Sequence, residues 1–200
     1  MDTKKLTNEQ IALIAKEYNL EPDLAKAVLI VETGPSLTGF LDSGKLKILF
    51  EGHIMYQKLK NLYGKGAADD AHKKYPEIVY PTWTKEFYLG GEGEWRRLKE
   101  ASKLHERLAK ESTSWGLPQI MGFNYNQVGC SSVQEMINRM EKSNMDQLEL
   151  FFEFIEKQRI MDHLRNHDWE KFTRVYNGPG QVAVYSQKLE NTYNNLKGKV

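Results

Sequence analysis

A chain of 200 residues with 40% hydrophobic and 28% charged side chains has the make-up of one folded globular domain, outside the disordered and collagen-like ranges. Its 28 Lys and Arg face 27 acidic residues, so it lacks the positive field that nucleic-acid binders use, and nucleic acid is not an expected partner. The lone Cys130 can close no internal disulfide and no apolar run is long enough to span a bilayer, which excludes a disulfide scaffold and stable membrane insertion.

The first residues lead into an amphipathic pattern and carry no signal-peptide signature, so the expected place of synthesis and accumulation is a cytoplasm. Thr7-Asn8-Glu9-Gln10 has the form of a capping box and opens a first helix that runs to about Tyr18. Pro22 suits the first turn of a second helix, in which Leu24, Val28 and Val31 share a face and which Gly34-Pro35 terminates. Glu32 falls in its last turn. The Lys45-Leu46-Lys47-Ile48 alternation, within residues 39–51, predicts a short hairpin or a single strand.

A helix is expected from His53 to about Tyr63, followed by a mostly loop-like stretch up to Gly93, where Pro76, Pro81 and several glycines interrupt any period. Helical patterns return over residues 94–110, 132–141, 145–166, 168–176 and 181–196. Ser132-Val133-Gln134-Glu135 reads as a second capping box and Asp168 as the cap of the helix opening at Trp169. Leu148, Phe151, Phe152, Phe154 and Ile155 recur at helical spacing and read as core. The expected architecture is one domain, mainly α with a small β element.

Three stretches combine glycine, polar and aromatic residues at helix edges, where core packing explains them least: Val31-Glu32-Thr33-Gly34, residues 112–122, and residues 175–180. A carboxylate in the last turn of a helix feels the negative end of the macrodipole, and partial burial acts in the same direction. Both favour a proton retained near neutral pH, the state a general acid needs, although a solvated Glu at a frayed helix end has the same sequence. None of the five His forms an HExxH or a Cys/His cluster, so no metal is implied, and Gly90-Gly91-Glu92-Gly93 lacks the Lys-Ser/Thr of a phosphate loop.

Gly116-Leu117-Pro118-Gln119-Ile120-Met121 resembles the Gly-Leu-Met-Gln-Ile-Met segment of lytic transglycosylases and goose-type lysozymes. In that superfamily a Glu ending a helix comes before this segment and a Tyr-Asn-Gly motif follows it, as Glu32 and Tyr176-Asn177-Gly178 do here. A closer similarity is to the phage N-acetylmuramidase domain family of modular endolysins. Its motifs are matched by Ile48-Leu49-Phe50-Glu51-Gly52-His53, by residues 112–122 and by Tyr176-Asn177-Gly178-Pro179, with Gly52 standing where the family usually has Arg.

The resemblance implies a lysozyme-like fold of two lobes around a central substrate cleft and cleavage of the β-1,4 bond between N-acetylmuramic acid and N-acetylglucosamine in peptidoglycan, without a cofactor. It assigns Glu32 as the catalytic acid and brings Gln119, Met121, Tyr176 and Asn177 to the substrate, with Ser114 beside them. Glu51 is the candidate second carboxylate, or else a group that bonds the backbone or orients His53. Trp115 is either a sugar-stacking ring or a core residue. The resemblance further implies a monomer, released by a holin to act on the wall. A lytic transglycosylase leaving 1,6-anhydro ends, or a non-catalytic wall-binding module, are the alternatives.

Overall fold

A computed structural model describes residues 5–180 and 182–198. In chain order they form α1 (Asn8–Glu17), α2 (Pro22–Thr33), β1 (Ile48–Phe50), α3 (Gly52–Tyr63), α4 (Lys65–Lys74), α5 (Glu92–Glu111), β2 (Thr113–Trp115), β3 (Ile120–Met121), a 3-10 helix (Gly122–Val128), α6 (Val133–Met140), α7 (Asn144–Lys157), α8 (Met161–Arg165), α9 (Trp169–Tyr176) and α10 (Val182–Leu196). The fold is mainly α with one small sheet, as expected. Among the described residues, no helix is long and apolar enough to cross a membrane. The chain divides into two compact units, the first made of Met1–Gly39 with Lys142–Val200 and the second of Phe40–Glu141.

In the first unit the capping box is present: the Thr7 hydroxyl accepts from the Gln10 N–H at 3.3 Å and the Thr7 N–H donates to the Gln10 side chain at 3.0 Å. Pro22 opens α2, and Gly34, at φ 80°, closes it immediately after Glu32 and Thr33. Asn144 fixes the chain beyond α2, accepting from the Gly39 N–H at 2.7 Å and donating to the Thr38 hydroxyl at 3.2 Å. Leu148, Phe151, Phe152 and Ile155 of α7 are buried as the stripe predicts, and Phe154 is half-buried.

Two expectations for this unit are corrected. The continuous helix over residues 145–166 is broken into α7 and α8, because Arg159 takes a left-handed φ of 58° and the Ile160 N–H turns back to the Ile155 carbonyl. This is the helix stop that glycine normally supplies, made here by an arginine, so nothing in the composition announces it. Asp168 precedes α9, but its carboxylate makes no cap and binds Lys171 at 2.7 Å instead. Residue 181, the expected start of the last helix, lies outside the described residues.

In the second unit β1, β2 and β3 form an antiparallel sheet in that order, with Ile48 opposite Trp115, Phe50 opposite Thr113, and Ser114 opposite Met121. The alternating segment thus contributes its end to β1, while Leu46 only bridges Phe40. The stretch expected as loop contains α4. Its Ala67, Ala68 and Ala71 favour a helix, Gly64 at φ 87° lets the chain turn between α3 and α4, and the Asp69 carboxylate accepts from the Tyr56 hydroxyl of α3 at 2.6 Å. At α6 the Ser132 hydroxyl caps as expected, but Glu135 reaches the Ser131 N–H, one residue upstream of the box position.

One ion pair organises this unit. Glu94 is fully buried and Arg97, one helical turn along α5, is 4% exposed. The Glu94 carboxylate accepts from the Arg97 guanidinium at 2.8 Å and from three backbone N–H groups, those of Phe50, Leu89 and Gly90. Arg97 returns a bond to the Phe50 carbonyl at 2.9 Å and another to the Glu77 carbonyl at 3.3 Å. β1, α5 and the chain around residues 77–90 are therefore pinned to one buried pair whose loss would strand a charge in the interior. Glu94→Gln or Arg97→Met alone should destabilise the chain by about 3–5 kcal/mol, and the double replacement by less than the sum, measured by urea denaturation.

Candidate active site

Glu32 stands in the last turn of α2, half-buried, where the helix has no further N–H to offer its side chain. Burial raises its pKa above the ordinary carboxylate value, while the Asn177 amide and the positive charge of Lys188 pull it partly back. The Asn177 Nδ2 donates to Oε1 of Glu32 at 3.2 Å. Lys188, on α10, donates to the Val31 carbonyl at 3.4 Å, which sets its ammonium beside the end of α2. The result is a carboxyl that retains its proton at higher pH than usual, yet keeps a donor and a cation ready for the carboxylate left after the proton departs.

Tyr176 precedes Asn177 at the end of α9. Its ring stacks on Phe172 at 5.4 Å and meets Phe151 and Phe154 edge-on, which fixes its direction. Burial, and then the charge of Glu32, push the phenol well above its ordinary pKa, so it stays a hydrogen-bond donor. Glu32 and the adjacent pair Tyr176 and Asn177, with 145 positions separating Asn177 from Glu32, are thus gathered in one unit. Lys188 belongs to the same cluster and was missed, because an isolated Lys on an amphipathic helix reads as a solvated charge.

The remaining candidates are gathered in the second unit. Glu51 follows β1 and its carbonyl accepts the first N–H bonds of α3 from Ile54 and Met55. Its Oε2 accepts from the Tyr88 hydroxyl at 2.6 Å and lies 3.3 Å from Nδ1 of His53, so this carboxylate does face His53, and Tyr88 is a partner the sequence did not reveal. Burial and the Glu51 carboxylate raise the Tyr88 pKa, which keeps the phenol protonated as the donor in that bond.

Residues 112–122 turn out to be a strand, a tight turn and a strand. Gln119 has a left-handed φ of 50°, and its side chain holds the turn: Nε2 donates to the Gly116 carbonyl at 2.7 Å and the Lys47 carbonyl at 3.3 Å, and Oε1 accepts from the Ser114 hydroxyl at 2.8 Å. Gln119 is exposed, and its amide donates to two backbone carbonyls, so the side chain builds the hairpin from its surface. Trp115 is 1% exposed, edge-on to Trp95, with its indole N–H on the Lys110 carbonyl at 3.0 Å. The buried ring has no face left for a sugar, which corrects the stacking alternative. Met121, half-buried opposite Ser114, stays near the surface of the hairpin.

Two glycines of these motifs are explained by contact. A Cβ at Gly122 would collide with the Lys110 carbonyl, and one at Gly52 with the Tyr80 ring and the Ile78 carbonyl. The Gly52 position therefore has no room for the Arg usual in the resembling family without displacing Tyr80, whose hydroxyl accepts from the Gly52 N–H at 3.2 Å.

The N-acetylmuramidase family (Muramidase) matches the chain over residues 21–197. The chain belongs to this muramidase family. It is also similar to the solved structure of the Burkholderia AP3 phage endolysin, with a TM-score of 0.84 and 33% identity, covering 98% of this chain and 73% of that one. No curated protein matches it. The muramidase fold is accordingly lysozyme-like, and the chain is a peptidoglycan-degrading enzyme.

The electrostatics of Glu32 in this muramidase have two measurable consequences. Asn177→Ala and Lys188→Met each remove a group that lowers the Glu32 pKa, so each should move it further up, seen in a carboxyl carbon NMR titration. A carboxyl whose folded pKa exceeds its unfolded one favours the fold fully below the unfolded value and loses that contribution as pH rises through the folded value. Glu32→Gln should therefore gain stability relative to the wild type on going from acid to neutral pH, in urea denaturation followed at both.

Proposed function

We propose that this muramidase hydrolyses the β-1,4 bond between N-acetylmuramic acid and N-acetylglucosamine, with Glu32 as the general acid. The observation that carries the reading is a half-buried carboxyl of raised pKa, bonded by Asn177 and facing the charge of Lys188, beside a protonated Tyr176. Protonated Glu32 gives its proton to the glycosidic oxygen as the bond from the sugar C1 breaks, so the leaving group departs as an alcohol. The Asn177 amide and the Lys188 charge then stabilise the carboxylate until a water attacks C1 and returns a proton to it. Tyr176 offers a fixed hydroxyl donor alongside.

Glu51 is our candidate for the second carboxylate. One of its oxygens accepts from Tyr88 and lies 3.3 Å from Nδ1 of His53, while Oε1 has no hydrogen-bond partner among the described residues. In the hairpin we assign sugar contact to Met121, with Ser114 and Gln119 shaping the turn that carries it.

Glu32→Gln should lower the release of muropeptides from purified sacculi by about 10²- to 10⁴-fold, the usual contribution of a general acid. Equal activity of the variant would remove Glu32 from its role. Mass spectrometry of the products should show reducing ends; products one water lighter would instead mark a transglycosylase, in which the sugar's own hydroxyl attacks.

A further inference from the structure

The second unit contains a cavity of about 510 Å³ that neither Glu32 nor Glu51 lines, although the buried Trp115 reaches its wall. This lies within the range of small-ligand sites. On α5, Trp95, Leu98, Lys99 and Ser102 follow one another at helical spacing along its wall, and Ile137 of α6 also lines it. The Trp95 indole N–H donates to the Leu46 carbonyl at 2.8 Å, so the half-buried ring is locked in place. Together Trp95, Leu98 and Ile137 make an apolar wall with a rigid aromatic plane.

The rim is charged in a definite pattern. Glu92 is neutralised by Lys45, at 2.7 Å. Among the described residues the side chains of Lys99 and Glu141 make no hydrogen bond or ion pair, and Arg96 acts on Glu92 through its charge alone. Two cations and one carboxylate that no bonded partner occupies, around an apolar wall, suit a short ligand that carries free carboxylates, an amine and small aliphatic groups. A neutral glycan has none of the three charges. The short peptide borne by each muramic acid unit of peptidoglycan has carboxylates and methyl groups, and a diamino acid that ends in an amine.

We propose that this cavity binds the stem peptide of the wall polymer, its carboxylates on Arg96 and Lys99, its amine toward Glu141, and its side chains against Trp95, Leu98 and Ile137. The proposal rests on peptidoglycan as the substrate and is independent of the role of Glu32. An enzyme that holds the peptide as well as the glycan gains avidity for intact wall without any change in its bond-breaking chemistry.

The test uses the synthetic tripeptide L-Ala-γ-D-Glu-L-Lys as probe, titrated into the full chain and followed at the Trp95 indole N–H by NMR. Saturable binding is expected in the wild type. Arg96→Glu with Lys99→Glu should weaken it by about tenfold or more through lost charge-assisted hydrogen bonds, and carboxyl-amidated probe should show the same loss. Charge reversal at the exposed Lys16 and Lys73 should leave the titration unchanged. On sacculi the cavity variant should raise KM with kcat unaltered, and on a peptide-free chitooligosaccharide it should match the wild type. Should charge reversal unfold the chain, Arg96→Gln with Lys99→Gln carries the same expectation. No saturable binding by the wild type, equal binding by the cavity variant, or an equal loss in the Lys16 and Lys73 control would overturn the proposal. Loss of lysis with peptide binding intact would count against the catalytic reading alone.

Discussion

The first unit is organised around one carboxyl, that of Glu32, which is kept half out of water without being left unsupported. Burial alone would hold the proton but would make the carboxylate that follows its loss costly. The Asn177 amide and Lys188 limit that cost from opposite ends of the local chain, one by a hydrogen bond and the other by charge. Most of the first unit can be read as the means to this arrangement. α2 ends at Gly34 immediately beyond Glu32, α9 ends at Asn177, and the aromatic cluster of Phe151, Phe154 and Phe172 fixes the ring of Tyr176 between them.

The second unit solves a different problem. A three-stranded sheet this small has little hydrophobic area of its own, and its first strand is anchored by the buried Glu94–Arg97 pair through the backbone of Phe50. Glu51, the next residue, is positioned by that anchor, and Tyr88 then binds its side chain. The turn between β2 and β3 is held by the Gln119 side chain, so a motif that reads as substrate-binding chemistry is first of all a structural one.

Local signals in the sequence were reliable where the physics is local. The Thr7 capping box, Pro22 at a helix start, Gly34 at a helix end and the apolar stripe of α7 each involve residues within a turn or two of one another, and each has the predicted form. The helix stop at Arg159 has no local signal, because a left-handed residue other than glycine leaves no compositional mark. α4 has a weak local signal because the glycines and prolines around it outweigh its alanines.

The sequence alone determined the mainly helical class, the position of Glu32 in the last turn of α2, and the pairing of Tyr176 with Asn177 at the end of another helix, since helix period and termini are written in short spans. Only the tertiary structure decided that Asn177 and Lys188 reach Glu32, that Tyr88 holds Glu51, that Trp115 is buried in its hairpin and that the Gln119 amide is tied to the turn of the same hairpin. Those outcomes turn on burial and on hydrogen-bond partners distant in sequence, and neither the cost of desolvating a charge nor the partner that offsets it has a local signature.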